Sequence, residues 1–374
     1  MYKVCVVTFY KRNYGAFLQA YALQKYLNKL GYNAEVLNYN YFKDRTVMGV
    51  YIGGIKKPIH FMKEIVYKLL RHGVSKKREM LMEKSAEQLI KQTKSYNSYK
   101  KLKKNVPDAD VFIVGSDQVW NPNMSEQGLL SRLLDFAPAD KAVLCSYAAS
   151  LGVSNLSAKS QKLFKTHLER FDRISVREKK SVDIISNLTN KTINVHKDPT
   201  LLLQSSDWDK FVIPIETKKP YVFIYLAQNS NALVDYAIDL AKKNDWDIID
   251  CHSSANYSIP NCVNGDKILT PMEFVSFIKN AEYVVTNSFH CLVFSIHYKR
   301  KAYVKLPPKG SERLSELIDN MYLNRITKPE QIKSSEVEMI YSKTEGYLSE
   351  ERKNAEKYLA ELGRVLTKKS VDKT

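Results

Sequence analysis

No Cys-x-x-Cys pair occurs among the five cysteines, Cys5, Cys145, Cys251, Cys262 and Cys291. An odd count without metal-ligand spacing excludes a disulfide framework and a zinc site as organising features. Reduced, mostly buried thiols are expected instead. No apolar run reaches the roughly 18 residues that span a bilayer. The opening MYKVCVVTFY lacks the apolar core and cleavage site of a signal peptide, so a cytoplasmic protein is expected. There is no GxGxxG turn, Walker loop, RNA-binding motif, internal repeat or low-complexity stretch.

Acidic residues are scarce beside basic ones, 40 against 58, which leaves a net charge of +18. The excess is uneven. Residues 43–104 hold 17 Lys/Arg against 5 Asp/Glu, a net +12. Such a stretch points to an anionic partner or forms a solvated helical face. Within it, Ile59, Met62, Ile65, Val66, Leu69 and Leu70 share one face of a predicted helix over 59–74. That helix either rests on an anionic membrane surface or packs on its domain. A second helix is predicted near 78–93.

What is present is an ordinary globular composition, 44% hydrophobic and 26% charged over 374 residues, enough for two domains. The first forty residues read strand, turn, helix, strand. Lys3–Thr8 is apolar and β-branched, Asn13-Tyr14-Gly15 is a turn, and Phe17 to Leu27 recur at helical spacing with Gly31 as the stop. A βαβ opening implies a parallel sheet. Further strands are predicted at 110–114, 142–147, 174–176 and 192–196. After the polar, proline-bounded segment 214–220, taken as the linker, a new α/β unit starts at Tyr221 with strands at 246–250, 282–286 and 302–305. The expected fold is therefore α/β, with two Rossmann-like domains and a cleft between them. The domains are 1–212 (with a basic helical insertion at 43–104) and 213–330. Helices over 331–374 are expected to pack back on the N-terminal domain.

Open α/β sheets bind ligands beyond the carboxyl ends of their strands, so the post-strand loops hold the candidates. Arg12, Asn13 and Gly15 follow the first strand, where a glycine turn at a helix start offers N–H groups to an anion. Gly115-Ser116-Asp117-Gln118-Val119-Trp120 follows another. There Asp117 either hydrogen-bonds a ligand hydroxyl or caps a helix, and Trp120 is either a platform for a sugar ring or a core residue. Arg177 and Glu178 follow the strand near 174; arginine there suits bidentate grip of carboxylate or phosphate, or forms a surface ion pair. Ser288 is a predicted helix N-cap and places His290 in the first turn, where the positive helix end favours an anion. Cys291 beside His290 is discounted as a paired nucleophile, because helix neighbours project about 100° apart. Ser311 and Arg313 precede another helix, and Arg313 is a second candidate anion clamp.

In order along residues 1–325, six motifs resemble the polysaccharide pyruvyl transferase family: Asn13-Tyr14-Gly15 with Leu18-Gln19-Ala20-Tyr21-Ala22-Leu23; Gly115-Ser116-Asp117-Gln118-Val119-Trp120-Asn121-Pro122; Ser175-Val176-Arg177-Glu178; Asp198-Pro199-Thr200; Thr286-Asn287-Ser288-Phe289-His290; and Ser311-Glu312-Arg313-Leu314. The resemblance implies a GT-B-like pair of Rossmann domains. It implies phosphoenolpyruvate as donor, no separate cofactor and no metal. The acceptor it implies is a sugar, such as an undecaprenyl-diphosphate-linked intermediate of capsule or exopolysaccharide synthesis. Nucleic acid is not an expected partner; peripheral contact with the anionic inner face of the cytoplasmic membrane is. Carried onto this chain, His290 and Asp117 become the catalytic candidates. Arg177, Arg313, Ser288, Ser311, Asn13 and Gly15 become donor-binding candidates, and Trp120, Gln118 and Arg12 acceptor-binding ones. Two departures stand out: Cys291 replaces a frequent glycine, and Ser288-Phe289 replaces an Arg-Leu found in some members. The competing reading on the same architecture is a GT-B glycosyltransferase that uses a nucleotide sugar.

Overall fold

The computed structural model describes residues 1–11, 13–39, 77–251, 259, 262–263, 268–307, 312–321 and 334–371. The predicted helix over 59–74, most of the basic stretch, Arg12 and Ser311 lie outside the described residues. The chain forms two compact units, Met1–His196 with Tyr358–Thr374, and Lys197–Lys357.

In the first unit, β1 (Lys3–Val7), β2 (Asn33–Val36), β3 (Val111–Val114) and β4 (Val143–Ser146) form a parallel sheet in the order β2-β1-β3-β4. Register runs Cys5 to Glu35 on one side and Cys5 to Phe112 on the other. β1, β3 and β4 are almost wholly buried apolar runs, as expected of parallel strands covered on both faces. Helix α1 (Tyr14–Lys29) starts at Asn13, whose side chain accepts from the Ala16 N–H at 2.8 Å, and is followed by Gly31 at φ +87°. A helix over 77–89, α2, and α3 (Tyr99–Lys104) lead into β3. After β3 come α4 (Glu126–Arg132), and after β4, α5 (Ala158–Leu168). The two-stranded parallel pair of β5 (Ile174–Val176) and β6 (Ile193–Val195), with α6 (Lys179–Ser186) between them, is linked to β4 by bridges at Cys145–Arg173 and Ala149–Val176.

The second unit repeats the plan. β7 (Tyr221–Tyr225), β8 (Asp247–Asp250), β9 (Tyr283–Thr286) and β10 (Lys301–Val304) lie parallel in the order β10-β9-β7-β8. Read from each unit's first strand, both sheets have the order second, first, third, fourth. The helices are α7 (Ser205–Trp208), α8 (Asn231–Asn244), α9 (Pro271–Asn280), α10 (Phe289–His297) and α11 (Glu312–Asn320), followed by α12 (Ser334–Ala360). α9 begins with a capping box, Thr270 and Glu273 bonding each other's backbone N–H, and proline at its first position.

The units divide at His196/Lys197, upstream of the segment 214–220 expected to link them. The cause is packing. Trp208 sets its ring edge-on to Phe294 of α10 at 4.7 Å, the His297 Nε2 lies 2.8 Å from the Thr200 carbonyl, and the Ile213 N–H donates to Ser276. The polar, proline-bounded composition of 214–220 marks a surface loop within the second unit. The C-terminal helices return to the first unit only from Tyr358 onward, where the Tyr358 hydroxyl donates to the Ser146 carbonyl and, on α13 (Leu362–Val371), Lys369 pairs with Asp172 at 2.6 Å. Among the described residues no helix is long and apolar enough to cross a membrane.

Candidate functional site

In a sheet of this strand order the first and third strands diverge to opposite sides, and their carboxyl-end loops flank a crevice suited to ligands. Each unit ties those two loops together with one buried amide side chain. In the first unit it is Gln19 on α1. Its Nε2 donates to Thr8 Oγ1 and the Phe9 carbonyl, and its Oε1 accepts from the Ser116 N–H at 3.0 Å. In the second unit it is Asn287, directly after β9. Its Oδ1 accepts from the Ala227 N–H at 2.7 Å and its Nδ2 donates to the Gln228 carbonyl at 2.7 Å.

Beside the first strap, the loop after β3 turns sharply. A Cβ on Gly115 would fall 2.0 Å from the Tyr147 carbonyl oxygen, so only glycine fits. Asp117 adopts φ 68° and is held by the Ser150 N–H on its carbonyl at 3.0 Å. Its carboxylate lies 3.7 Å from Nη2 of Arg177, which is 4% exposed. Arg177 in turn donates through Nε to Glu178 at 3.1 Å, and Glu178 accepts from Ser150 Oγ at 2.8 Å and Ser181 Oγ at 3.3 Å. The structure thus brings Asp117 and Arg177 together, and the guanidinium sits between two carboxylates. The surface ion pair read as one alternative for Arg177 is instead a buried one.

Other expectations for this unit are met differently. The helix that Asp117 would have capped is absent, since α4 begins at Glu126 with Ser125 as cap. Trp120 is fully buried, edge-on to Phe164 and Phe171 at 5.9 Å each, and its indole N–H donates to the Arg132 carbonyl. With its faces filled and its one donor used, it is a core residue and not a sugar platform. Gln118 is half-buried, accepts from Asn121 at 3.3 Å and packs on Gly152, itself at φ 64°. Asn13 caps α1, and Gly15 is buried in that helix's first turn.

In the second unit, Ser288 holds the N-cap position of α10 without a side-chain cap bond, while the Thr286 hydroxyl receives the Ser288 N–H at 3.0 Å. The Ser288 side chain therefore does not satisfy the first N–H groups of α10, and the helix end carries a partial positive charge. His290 stands in that first turn, 9% exposed, with the Phe289 ring edge-on at 5.1 Å. Its Nε2 lies 3.5 Å from Asp198 Oδ2. Asp198 is itself fixed: its Oδ1 accepts from the Thr200 N–H at 3.1 Å and hydroxyl at 2.7 Å. A buried carboxylate beside an imidazole orients the ring. Arg313 is half-buried in the first turn of α11, which packs on α10, in the same unit as His290 and Ser288. Arg177 belongs to the other unit. The Cys291 thiol is fully buried, and burial pushes its pKa up to about 12, so it supplies no thiolate near neutrality.

Four residues of these clusters, Asp198, Glu178, Gln19 and Asn287, carried no role in the sequence. All sat inside quoted motifs. Asp before Pro-Thr reads as a simple turn cap, and the glutamines set in an apolar helix, Gln19 and Gln24, are the one signal that points past packing.

The sequence model of the polysaccharide pyruvyl transferase family matches residues 13–304. No curated protein matches the chain. Among solved structures, an alpha-glucosyltransferase in complex with UDP and a 13-mer DNA containing an HMU base is similar over 99% of this chain and 98% of its own, at 10% identity and a TM-score of 0.50. A putative UDP-N-acetylglucosamine 2-epimerase from Listeria monocytogenes is similar over 91% of this chain and 90% of its own, at 9% identity and a TM-score of 0.47. Likeness at this level concerns the fold alone, an α/β pair of Rossmann-like units.

Proposed function

The chain belongs to the polysaccharide pyruvyl transferase family, and from that premise we propose that it moves the enolpyruvyl group of phosphoenolpyruvate onto two hydroxyls of one sugar. The observation that carries the reading is the pairing of His290 with Asp198 at the open N-terminus of α10. A donor phosphate or carboxylate finds helix N–H groups there. Ser288 precedes α10, and Arg313 lies in the first turn of α11, which packs on α10.

With Asp198 Oδ2 3.5 Å from Nε2, we assign Nδ1 to the donor. The step balances as follows. A proton passes to the donor methylene carbon, leaving an oxocarbenium-like C2. A sugar hydroxyl adds to C2, and the bond from C2 to the phosphate oxygen breaks. A second hydroxyl closes the ketal, and the two hydroxyl protons end on the new methyl group and on phosphate. His290 is the acid for the first proton, and the helix end holds the developing phosphate charge. Asp117 is the acceptor-side base.

The test is phosphorus NMR of the enzyme with phosphoenolpyruvate and a bacterial glycan fraction. Inorganic phosphate is expected; nucleoside diphosphate, appearing only with a nucleotide sugar, would sink the reading in favour of glycosyl transfer. His290→Ala is expected to lower phosphate release by at least 100-fold with an unchanged melting temperature. Asp198→Asn should lose roughly 10- to 100-fold. A well-folded, fully active His290→Ala protein refutes the assignment.

We place the acceptor sugar on a diphosphate-linked lipid, with the protein peripheral at the inner, anionic face of the cytoplasmic membrane. Support comes from α3, where Lys100, Lys101, Lys103 and Lys104 are all exposed and only Lys103 is drawn to a carboxylate, Asp135 at 3.0 Å, among the described pairs. Replacing Lys100, Lys101 and Lys104 by alanine should weaken sedimentation with phosphatidylglycerol vesicles roughly 100-fold, at about 1 kcal/mol per lysine. Unchanged sedimentation discards the membrane contact.

A further inference from the structure

The segment 198–200 touches α10 at both of its ends. In the first turn of the helix, His290 Nε2 lies 3.5 Å from Asp198 Oδ2. At its last residue, His297 Nε2 lies 2.8 Å from the Thr200 carbonyl. A carbonyl only accepts, so His297 carries its proton on Nε2 and donates it there. Burial lowers the His297 pKa to about 4, so this ring is neutral near pH 7. The two histidines stand about two turns apart, roughly 10 Å along the helix axis. Thr200 joins the two contacts. Its carbonyl holds His297 and also accepts from the Trp208 indole N–H at 3.3 Å. Its N–H and its hydroxyl both donate to Asp198 Oδ1, at 3.1 and 2.7 Å. A little further on, the Ser205 hydroxyl donates to the His297 carbonyl at 2.8 Å. Thr200 and Asp198 are closed from solvent, at 0% and 1% exposure.

We propose that Thr200 is the positioning residue of the His290–Asp198 pair: its hydroxyl fixes the plane of the Asp198 carboxylate, and its carbonyl fixes the far end of the helix that carries His290. Asp198 caps a short turn at Pro199–Leu201, and the Thr200 N–H alone satisfies that cap. The hydroxyl is a second donor on the same oxygen and the shorter of the two, a charge-assisted bond that capping does not require. With both donors on Oδ1, the carboxylate resists rotation and keeps Oδ2 toward the imidazole. The spacing of the pair is then set by a closed ring of contacts, from Asp198 to Thr200, from Thr200 to His297, and along α10 back to His290. At 3.5 Å the pair is longer than an ordinary hydrogen bond, so a small turn of the carboxylate decides whether it tightens or opens. The inference rests on the role given to His290 above, and adds the residue that sets its partner.

Three variants test this. Thr200→Val keeps the shape without the hydroxyl, Thr200→Ala lacks it without added bulk, and Thr200→Ser keeps it. Each is prepared with 15N-labelled histidine, and the His290 ring signals, assigned by their loss in His290→Ala, are recorded without substrate; melting temperatures and phosphate release from phosphoenolpyruvate are measured alongside. The His290 Nε2 signal is expected to shift in Thr200→Val and Thr200→Ala and to stay at the wild-type position in Thr200→Ser. In turnover, kcat should fall about tenfold in the two variants without a hydroxyl, with the phosphoenolpyruvate KM held, and Thr200→Ser should recover most of the rate. A residue that served packing alone would lower the melting temperature and leave the His290 signal and kcat of the folded protein where they were. Three results overturn the proposal: a His290 signal indifferent to the hydroxyl, full kcat in a folded Thr200→Val or Thr200→Ala, or a Thr200→Ser protein as slow as Thr200→Val. A wild type that releases no phosphate from phosphoenolpyruvate refutes pyruvyl transfer, while the His290 signal still decides whether Thr200 sets the pair.

Discussion

At the scale of single residues, Trp120 and Asp198 show how the same loops serve packing and chemistry. Trp120 lies between Phe164, Phe171 and the Arg132 carbonyl. Trp120→Ala should therefore cost about 3–5 kcal/mol of stability in urea denaturation. Trp120→Phe should cost less and leave acceptor KM unchanged; a selective rise in acceptor KM would return Trp120 to the binding surface. Asp198 was legible as part of a motif and Trp120 as one of two alternatives. Neither could be settled without coordinates, because an aromatic ring or a carboxylate after a strand looks alike in sequence whether it faces a ligand or a neighbour.

At the scale of elements, sequence patterning located the strands well. Apolar β-branched runs predicted β1, β3, β4, β7 and β9 to within a residue or two, since buried parallel strands carry an unbroken signal. The short helices α4, α6 and α7 were not anticipated, because segments of four to eight residues have too few turns to show a period. The hydrogen-bonded straps were equally hidden: they join residues far apart in the chain, such as Gln19 to Ser116 and Asn287 to Ala227. Asn287→Ala removes the acceptor for the Ala227 N–H and is expected to destabilise by about 1–3 kcal/mol. In hydrogen exchange the Ala227 amide should speed up about tenfold or more, while amides in β8 change little. Equal acceleration across both would mean that Asn287 supports the whole sheet and not the loop.

For the molecule as a whole, acid stability is governed in part by His297, which closes the helix that His290 opens. Burial lowers its pKa to about 4, and its Nε2 bonds the Thr200 carbonyl. The folded pKa lies below the unfolded value near 6.5, so the unfolded chain takes up the extra proton first. The stability contribution is complete above about pH 6.5 and is lost as pH falls toward 4, by about 3 kcal/mol in total. Comparing urea midpoints at pH 7.5 and 4.5 for wild type and His297→Gln should show a smaller acid loss in the variant. An identical loss in both would place the acid sensitivity elsewhere. The unit boundary at His196/Lys197 is a whole-molecule property that local composition misplaced, because it is decided by what Trp208 and Thr200 pack against.

The two sheets share one strand order, yet the amide that ties their first and third loops comes from different places. In one unit it reaches out from the first helix, as Gln19; in the other it follows the third strand, as Asn287. Strand order therefore leaves the source of the fastening open: either a neighbouring helix or the strand's own end can close the same pair of loops.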